Sequence, residues 1–216
     1  FGTGVEEGER YGDELSRQFP GTVFYPAALM GYGVGQYEIL SQEMLEHEPW
    51  AAVVVQLSNN DLADMVEFQR AEPAPEASSS SELLGLFDYI QKILSQGARS
   101  EEELKSGLLR LEQGLGRVAT TAADKKIPMI LVIATDWGQP VYGKALAREY
   151  EAAVKRVVAK HRLQFSEVGL GFTLADLLPF PDLHWRPEMH RKVADRLAPL
   201  FPKSLQRLRK AEFSSP

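Results

Sequence analysis

The stretch AAVVVQLSNND, residues 51–61, is apolar almost without interruption as far as Leu57 and then turns polar at Ser58, Asn59, Asn60 and Asp61. A short apolar run that does not alternate reads as a strand covered on both faces, because neither parity of side chain meets water. A second such run, IPMILVIAT, occupies residues 127–135, and a weaker β-rich run lies at 22–25. Helical spacing fills the intervals. Tyr37, Leu40 and Met44 form one stripe, Leu104, Leu108, Leu111, Leu115 and Val118 another, and a third helical pattern runs over residues 141–161. The last helix is expected to open with Pro187 in its first turn and to carry Met189, Val193, Leu197 and Leu200 on one face. Strands alternating with helices in this way predict a three-layer α/β fold around a parallel sheet.

One domain suffices for the chain. Its 216 residues, 44% hydrophobic and 25% charged, are enough for a sizeable core. The Pro- and Ser-rich segment AEPAPEASSSSE, residues 71–82, interrupts a single alternating pattern, so it reads as a flexible loop near the site rather than a linker. Net charge is −6, with Lys and Arg dispersed along the chain, which argues against a nucleic-acid partner. The absence of cysteine excludes disulfides, thiolate metal sites and a cysteine nucleophile, and leaves the compartment open. No apolar run reaches the ~20 residues of a membrane helix. Gly2, Gly4 and Gly8 do not have the dinucleotide-binding spacing and follow no strand, and Asp61 has no second carboxylate or histidine at ligand spacing, so neither cofactor nor metal is expected.

In parallel sheets ligands gather at the carboxyl ends of strands, and three loops there hold unusual residues. ALMGYGVGQ follows the run at 22–25, SNNDLAD follows the run at 51–57, and PDLHW precedes the last helix. Each alone has an ordinary explanation as a turn, a helix cap or a structural histidine. Their order, however, resembles the block order of the SGNH, or GDSL-type, serine hydrolases over nearly the whole chain. The resemblance implies a flavodoxin-like α/β/α domain over residues 1–216. It also implies Gly31 and Asn60 as oxyanion donors, His184 as general base and Asp182 as its partner. Two places depart from the family pattern: Ser58-Asn59-Asn60-Asp61 replaces Gly-x-Asn-Asp, and Pro26-Ala27-Ala28 replaces Asn-x-Gly.

By the same resemblance the nucleophile is the serine of a Gly-Asp-Ser block at the end of the first strand, followed within a few residues by a run like FGTGV. This chain opens on FGTGVEEGERYGDEL. The expectation is therefore that it starts downstream of the block, without the first strand, and is inactive and poorly stable in that form. GDEL at residues 12–15 does not replace the block, since it has Glu14 in the serine position and lies in a helical pattern.

The chemistry accounts for the residue types. A serine hydroxyl needs a base to take its proton, and in an extended segment residues two apart point the same way, so Asp182 can orient the ring of His184. A glycine amide at Gly31 and the side-chain amide of Asn60 can donate to the developing oxyanion. Trp185 is expected either to line an acyl or sugar pocket or to cover the sheet edge. His47 and His161 are read as surface histidines at helix ends, His190 as a packing residue, and Asp61 as a helix cap. The expected substrate is an acetyl or other short acyl ester of a carbohydrate or lipid. Two alternatives stand beside it: an O-acetyltransferase of the same superfamily, in which an Asp-x-His-Trp run also occurs, and a binding module that has lost its nucleophile.

Overall fold

The computed structural model describes residues 6, 8–27, 33–47, 49–58, 61–70, 100–134, 139–168, 173, 176 and 185–206. Its centre is a parallel sheet of three described strands, β1 (Val53–Leu57), β2 (Met129–Ile133) and β3 (Gln164–Glu167), in the order β1-β2-β3. Val53 pairs with Met129 and Leu57 with Ile133, while Ile130 pairs with Gln164. All five residues of β2 are buried, which explains why its sequence is continuously apolar: alternate side chains enter two different cores.

On one face Val55, Leu57, Met129, Leu131 and Ile133 pack against four helices. These are α2 (Val34–His47), α3 (Asp61–Arg70), α4 (Glu101–Asp124) and α5 (Gln139–His161). On the other, Ile130 and Val132 meet Leu15 and Phe19 at α1 (Tyr11–Gln18), and Val193 and Leu197 of α6 (Pro187–Leu197). The period-2 split between the two clusters makes the molecule three layers, as the alternating pattern predicts.

Local signals set the helix limits. Ser100 opens α4 with a reciprocal capping box: its hydroxyl accepts from the Glu103 amide at 3.2 Å, and the Glu103 carboxylate accepts from the Ser100 amide at 2.9 Å. The stripe predicted for this helix is the one it buries, with Leu108, Leu111, Leu115 and Val118 inside. Two glycines let α4 approach its neighbours closely. A Cβ at Gly107 would stand 2.7 Å from Val66 of α3, and one at Gly114 would stand 2.9 Å from Val34 of α2. α5 is broken at Gly143, whose φ of 75° only glycine adopts readily, so the regular helix follows it. Pro187 occupies the first turn of α6, as expected.

Two features differ from the sequence reading. Residues 22–25 are extended but form no strand, with Val23 84% and Tyr25 63% exposed. A strand exists only through a partner, and a cavity of about 640 Å³ separates this segment from β1. The strand at Gln164–Glu167 was missed because QFSE has only one apolar residue; pairing with β2 rather than composition makes it a strand. The helix at Tyr11–Gln18 is present where GDEL suggested one. The loop expected at residues 71–82 lies outside the described residues. No helix among those described is long and apolar enough to cross a membrane.

Candidate active site

The carboxyl end of β1 is anchored more firmly than its polar sequence suggests. Leu57 is buried, the chain turns at Ser58, and α3 begins at Asp61, which is only 1% exposed. The Asp61 carboxylate reaches back three residues to accept from the Ser58 amide, and from the Ser58 hydroxyl at 3.1 Å. The Tyr37 hydroxyl of α2 also faces this carboxylate, and Asp64 lies close by on α3. On the other side of the turn the fully buried Tyr150 of α5 donates its hydroxyl to the Ser58 carbonyl at 3.1 Å. Helices α2, α3 and α5 thus converge on one turn at the strand end, the position where open parallel sheets bind ligands.

Burial sets the charge state of this cluster. Desolvation pushes the Asp61 carboxyl from an ordinary 3.8 up to about 7; the Ser58 amide opposes this and the neighbouring Asp64 adds to it. Tyr37 is raised too, first by its own burial and then by Asp61. Burial therefore favours the protonated carboxyl, and a hydrogen-bonded network rather than an exposed charge holds the turn. The sequence reading took Asp61 as a helix cap; the structure places it at the helix start, holding the strand end to the helix. Tyr37 and Tyr150 were not read as site residues. Tyr37 was legible only as part of an apolar stripe, and nothing in the local sequence of Tyr150 connects it with Ser58.

A second anchor lies where the chain enters α6. The Arg186 amide donates to the Asp176 carbonyl at 3.1 Å, and the Asp176 carboxylate accepts from the Thr173 amide at 2.8 Å and hydroxyl at 2.9 Å. Lys192 of α6 adds an ion pair at 3.5 Å. These contacts fix both ends of the sequence interval that contains Asp182 and His184. Trp185 is partly buried against the α1/α6 core, edge-on to His190 with ring centroids 5.6 Å apart.

His190 is a packing residue. It is 3% exposed, its Nδ1 accepts from the Tyr11 amide at the start of α1 at 3.3 Å, and its ring stacks on Tyr11. Burial lowers it to about 4, with Arg10 adding to the effect, so it is neutral at ordinary pH. His47 is exposed at the end of α2, as expected. His161 is a correction: its Nε2 is buried with no described hydrogen-bond partner, and burial together with Lys160 lowers its pKa. It is a neutral, half-buried ring packed beside Gly116 of α4, not a surface cation offsetting a helix dipole.

Of the residues singled out for chemistry, Gly31, Asn60, Asp182 and His184 lie outside the described residues, and Trp185 lies within them. The structure describes what flanks them: Gly33 at the start of α2, Ser58 and Asp61 around Asn60, and Trp185 and Arg186 after His184.

The arrangement defines a three-layer α/β/α fold around a parallel sheet. The crystal structure of a member of the lipolytic G-D-S-L family from Veillonella parvula is similar to it, with a TM-score of 0.58 and 13% sequence identity over 93% of this chain and 91% of that one. No family model and no curated protein matches the sequence.

Proposed function

We propose that this chain is a serine ester hydrolase of SGNH type, acting on an acetyl or other short acyl ester of a carbohydrate or lipid. The observation that carries the reading is the anchored turn at the end of β1. Ser58 and Asp61 are fixed by the strand, by Tyr150 and by each other, and Asn60 stands between them in sequence. A preorganised donor is worth most when its loop need not reorganise during reaction, so the anchoring of Ser58 and Asp61 on either side of Asn60 in the sequence suits an oxyanion donor. The lipolytic character of the structural neighbour agrees with this chemistry.

In the proposed mechanism a serine hydroxyl attacks the ester carbonyl while His184 takes its proton, and Asp182 holds the imidazole in the required tautomer. The Gly31 amide and the Asn60 side chain stabilise the oxyanion. The alcohol leaves with the proton from His184, and water, deprotonated by the same histidine, releases the acid from the acyl-serine. Trp185, with one face committed to the core, would form part of the pocket wall.

The test offers the protein an activated acetyl ester and a serine-directed phosphonate. It should hydrolyse the ester, and the phosphonate should label one serine and stop the reaction. No hydrolysis, or hydrolysis that the phosphonate leaves intact, would overturn the assignment. The Asp-Leu-His-Trp run favours one further reading, acyl transfer. With a labelled acetyl donor and a sugar acceptor, transfer outrunning acetate release would replace hydrolase by acetyltransferase.

A further inference from the structure

Where β1 ends, the Leu57 carbonyl still accepts from the Ala134 amide at 2.7 Å, and the chain leaves the sheet at Ser58. The Ser58 carbonyl accepts from the Asp61 amide at 3.4 Å, a contact that closes the four residues from Ser58 to Asp61 on themselves. That closure is longer than the ~2.7–3.2 Å of a good N–H···O bond. Two side chains reinforce it. From within the turn, the Asp61 carboxylate accepts from the Ser58 amide and hydroxyl. From outside it, the Tyr150 hydroxyl of α5, 92 residues further along the chain, donates to the Ser58 carbonyl at 3.1 Å.

The two ties hold different peptide units. The Ser58 amide belongs to the unit that ends the strand, and the Ser58 carbonyl to the unit that leads into Asn59. With only two soft torsions per residue, holding the units on both sides of the Ser58 Cα sets the direction in which the chain leaves the sheet. Asp61 is itself part of the turn, so its bond shapes the turn without fixing it to a second layer of the fold. Tyr150 does fix it. Its ring is fully buried in the cluster that holds Leu57, Leu131 and Ile133. Phenylalanine would fill the same space, and a buried hydroxyl costs stability unless it is bonded. What the hydroxyl adds is therefore the bond to Ser58.

We infer that Tyr150 is a positioning residue, whose hydroxyl sets the orientation of the peptide entering Asn59 and Asn60 and acts on the reaction through Asn60. The second half rests on the proposed function, in which Asn60 is an oxyanion donor; the tie to the turn does not. In this role Tyr150 need not touch the ester. Charge on the carbonyl oxygen develops only towards the transition state, so a donor that has lost its preorganisation costs kcat rather than KM.

Tyr150→Phe removes the hydroxyl and keeps the ring. For an activated acetyl ester it should lower kcat by ~10-fold and change KM by less than ~2-fold. The Ser58 and Asp61 amides, which close the turn, should exchange with solvent ~5–10-fold faster. In an Asn60→Ala background the same substitution should lower kcat by less than ~2-fold, because a donor that is absent cannot be misplaced. A structural role alone would reduce activity by the same factor in both backgrounds. Equal losses in the two backgrounds, an effect confined to KM, or unaltered exchange at Ser58 and Asp61 would each overturn the inference. If the parent protein hydrolyses no ester, the hydrolase reading fails together with the action through Asn60, and the exchange rates decide separately whether Tyr150 holds the turn.

Discussion

Replacing Asp61 by asparagine should separate the two contributions this buried group makes. Its carboxyl is raised from 3.8 in an unfolded chain to about 7 in the folded one, chiefly by burial, with Asp64 adding and the Ser58 and Tyr37 hydrogen bonds opposing. A raised acid pKa means that the native state keeps a proton which the unfolded state has released. Stability from this group is therefore highest below about pH 4, falls as pH rises towards 7, and is level above that. The gap between 3.8 and about 7 corresponds to ~4 kcal/mol over the whole interval. Asparagine offers the Ser58 amide and hydroxyl an acceptor of similar shape and does not ionise. Asp61→Asn should thus be less stable than the parent at pH 4–5, where it loses a well-matched carboxyl, and should gain on the parent by ~2–4 kcal/mol as pH is raised to 8. Urea denaturation at matched ionic strength across pH 4–8 measures this directly. A difference between the two proteins constant to within ~0.5 kcal/mol over that range would refute the assignment of a buried, strongly perturbed carboxyl.

Gly107→Ala should destabilise by ~1–2 kcal/mol despite its higher helix propensity, because the new methyl meets Val66, itself 3% exposed, whereas Gly116→Ala, whose nearest neighbour is His161 at 3.7 Å, should stabilise by up to ~1 kcal/mol; Tm values of the pair decide. His184→Ala should abolish ester hydrolysis and Asp182→Asn should reduce it by orders of magnitude through the wrong tautomer, and near-normal rates in both would remove the triad. Asn60→Ala should lower kcat by ~10²-fold or more with little change in KM; an effect confined to KM would make Asn60 a binding residue.

What could be read from the sequence depended on whether a residue's role was set by its own neighbours or by distant ones. The two continuous apolar runs specified buried parallel strands because every side chain in them reports burial, and the α4 stripe was legible for the same reason. QFSE was silent because its strand character comes from Ile130–Ile133 across the ladder, 34 residues earlier in register. His161 was misread for a related reason: a basic residue at a helix end suggests a surface cation, and only its packing beside Gly116 of α4 turns it into a half-buried neutral ring. The candidate site divides the same way. The motif order in the loops suggested the chemistry, yet the groups that stiffen the Ser58–Asp61 turn, Tyr37 and Tyr150, come from helices on either side of it in the chain.

The segment at 22–25 brings these threads together. Its composition is that of a strand, with Val23, Phe24 and Tyr25 in succession, and yet it is unpaired with two of its large side chains exposed. Strand propensity is chiefly fitness for a pleated surface with neighbours on both sides, so a strand-like sequence facing an empty slot is a local preference whose partner is not among the described residues. Among the described residues the same slot leaves Val54 and Gln56 without ladder partners in a strand whose apolar sequence is that of an interior position. Two segments far apart in sequence thus carry the composition of paired strands and border the same cavity.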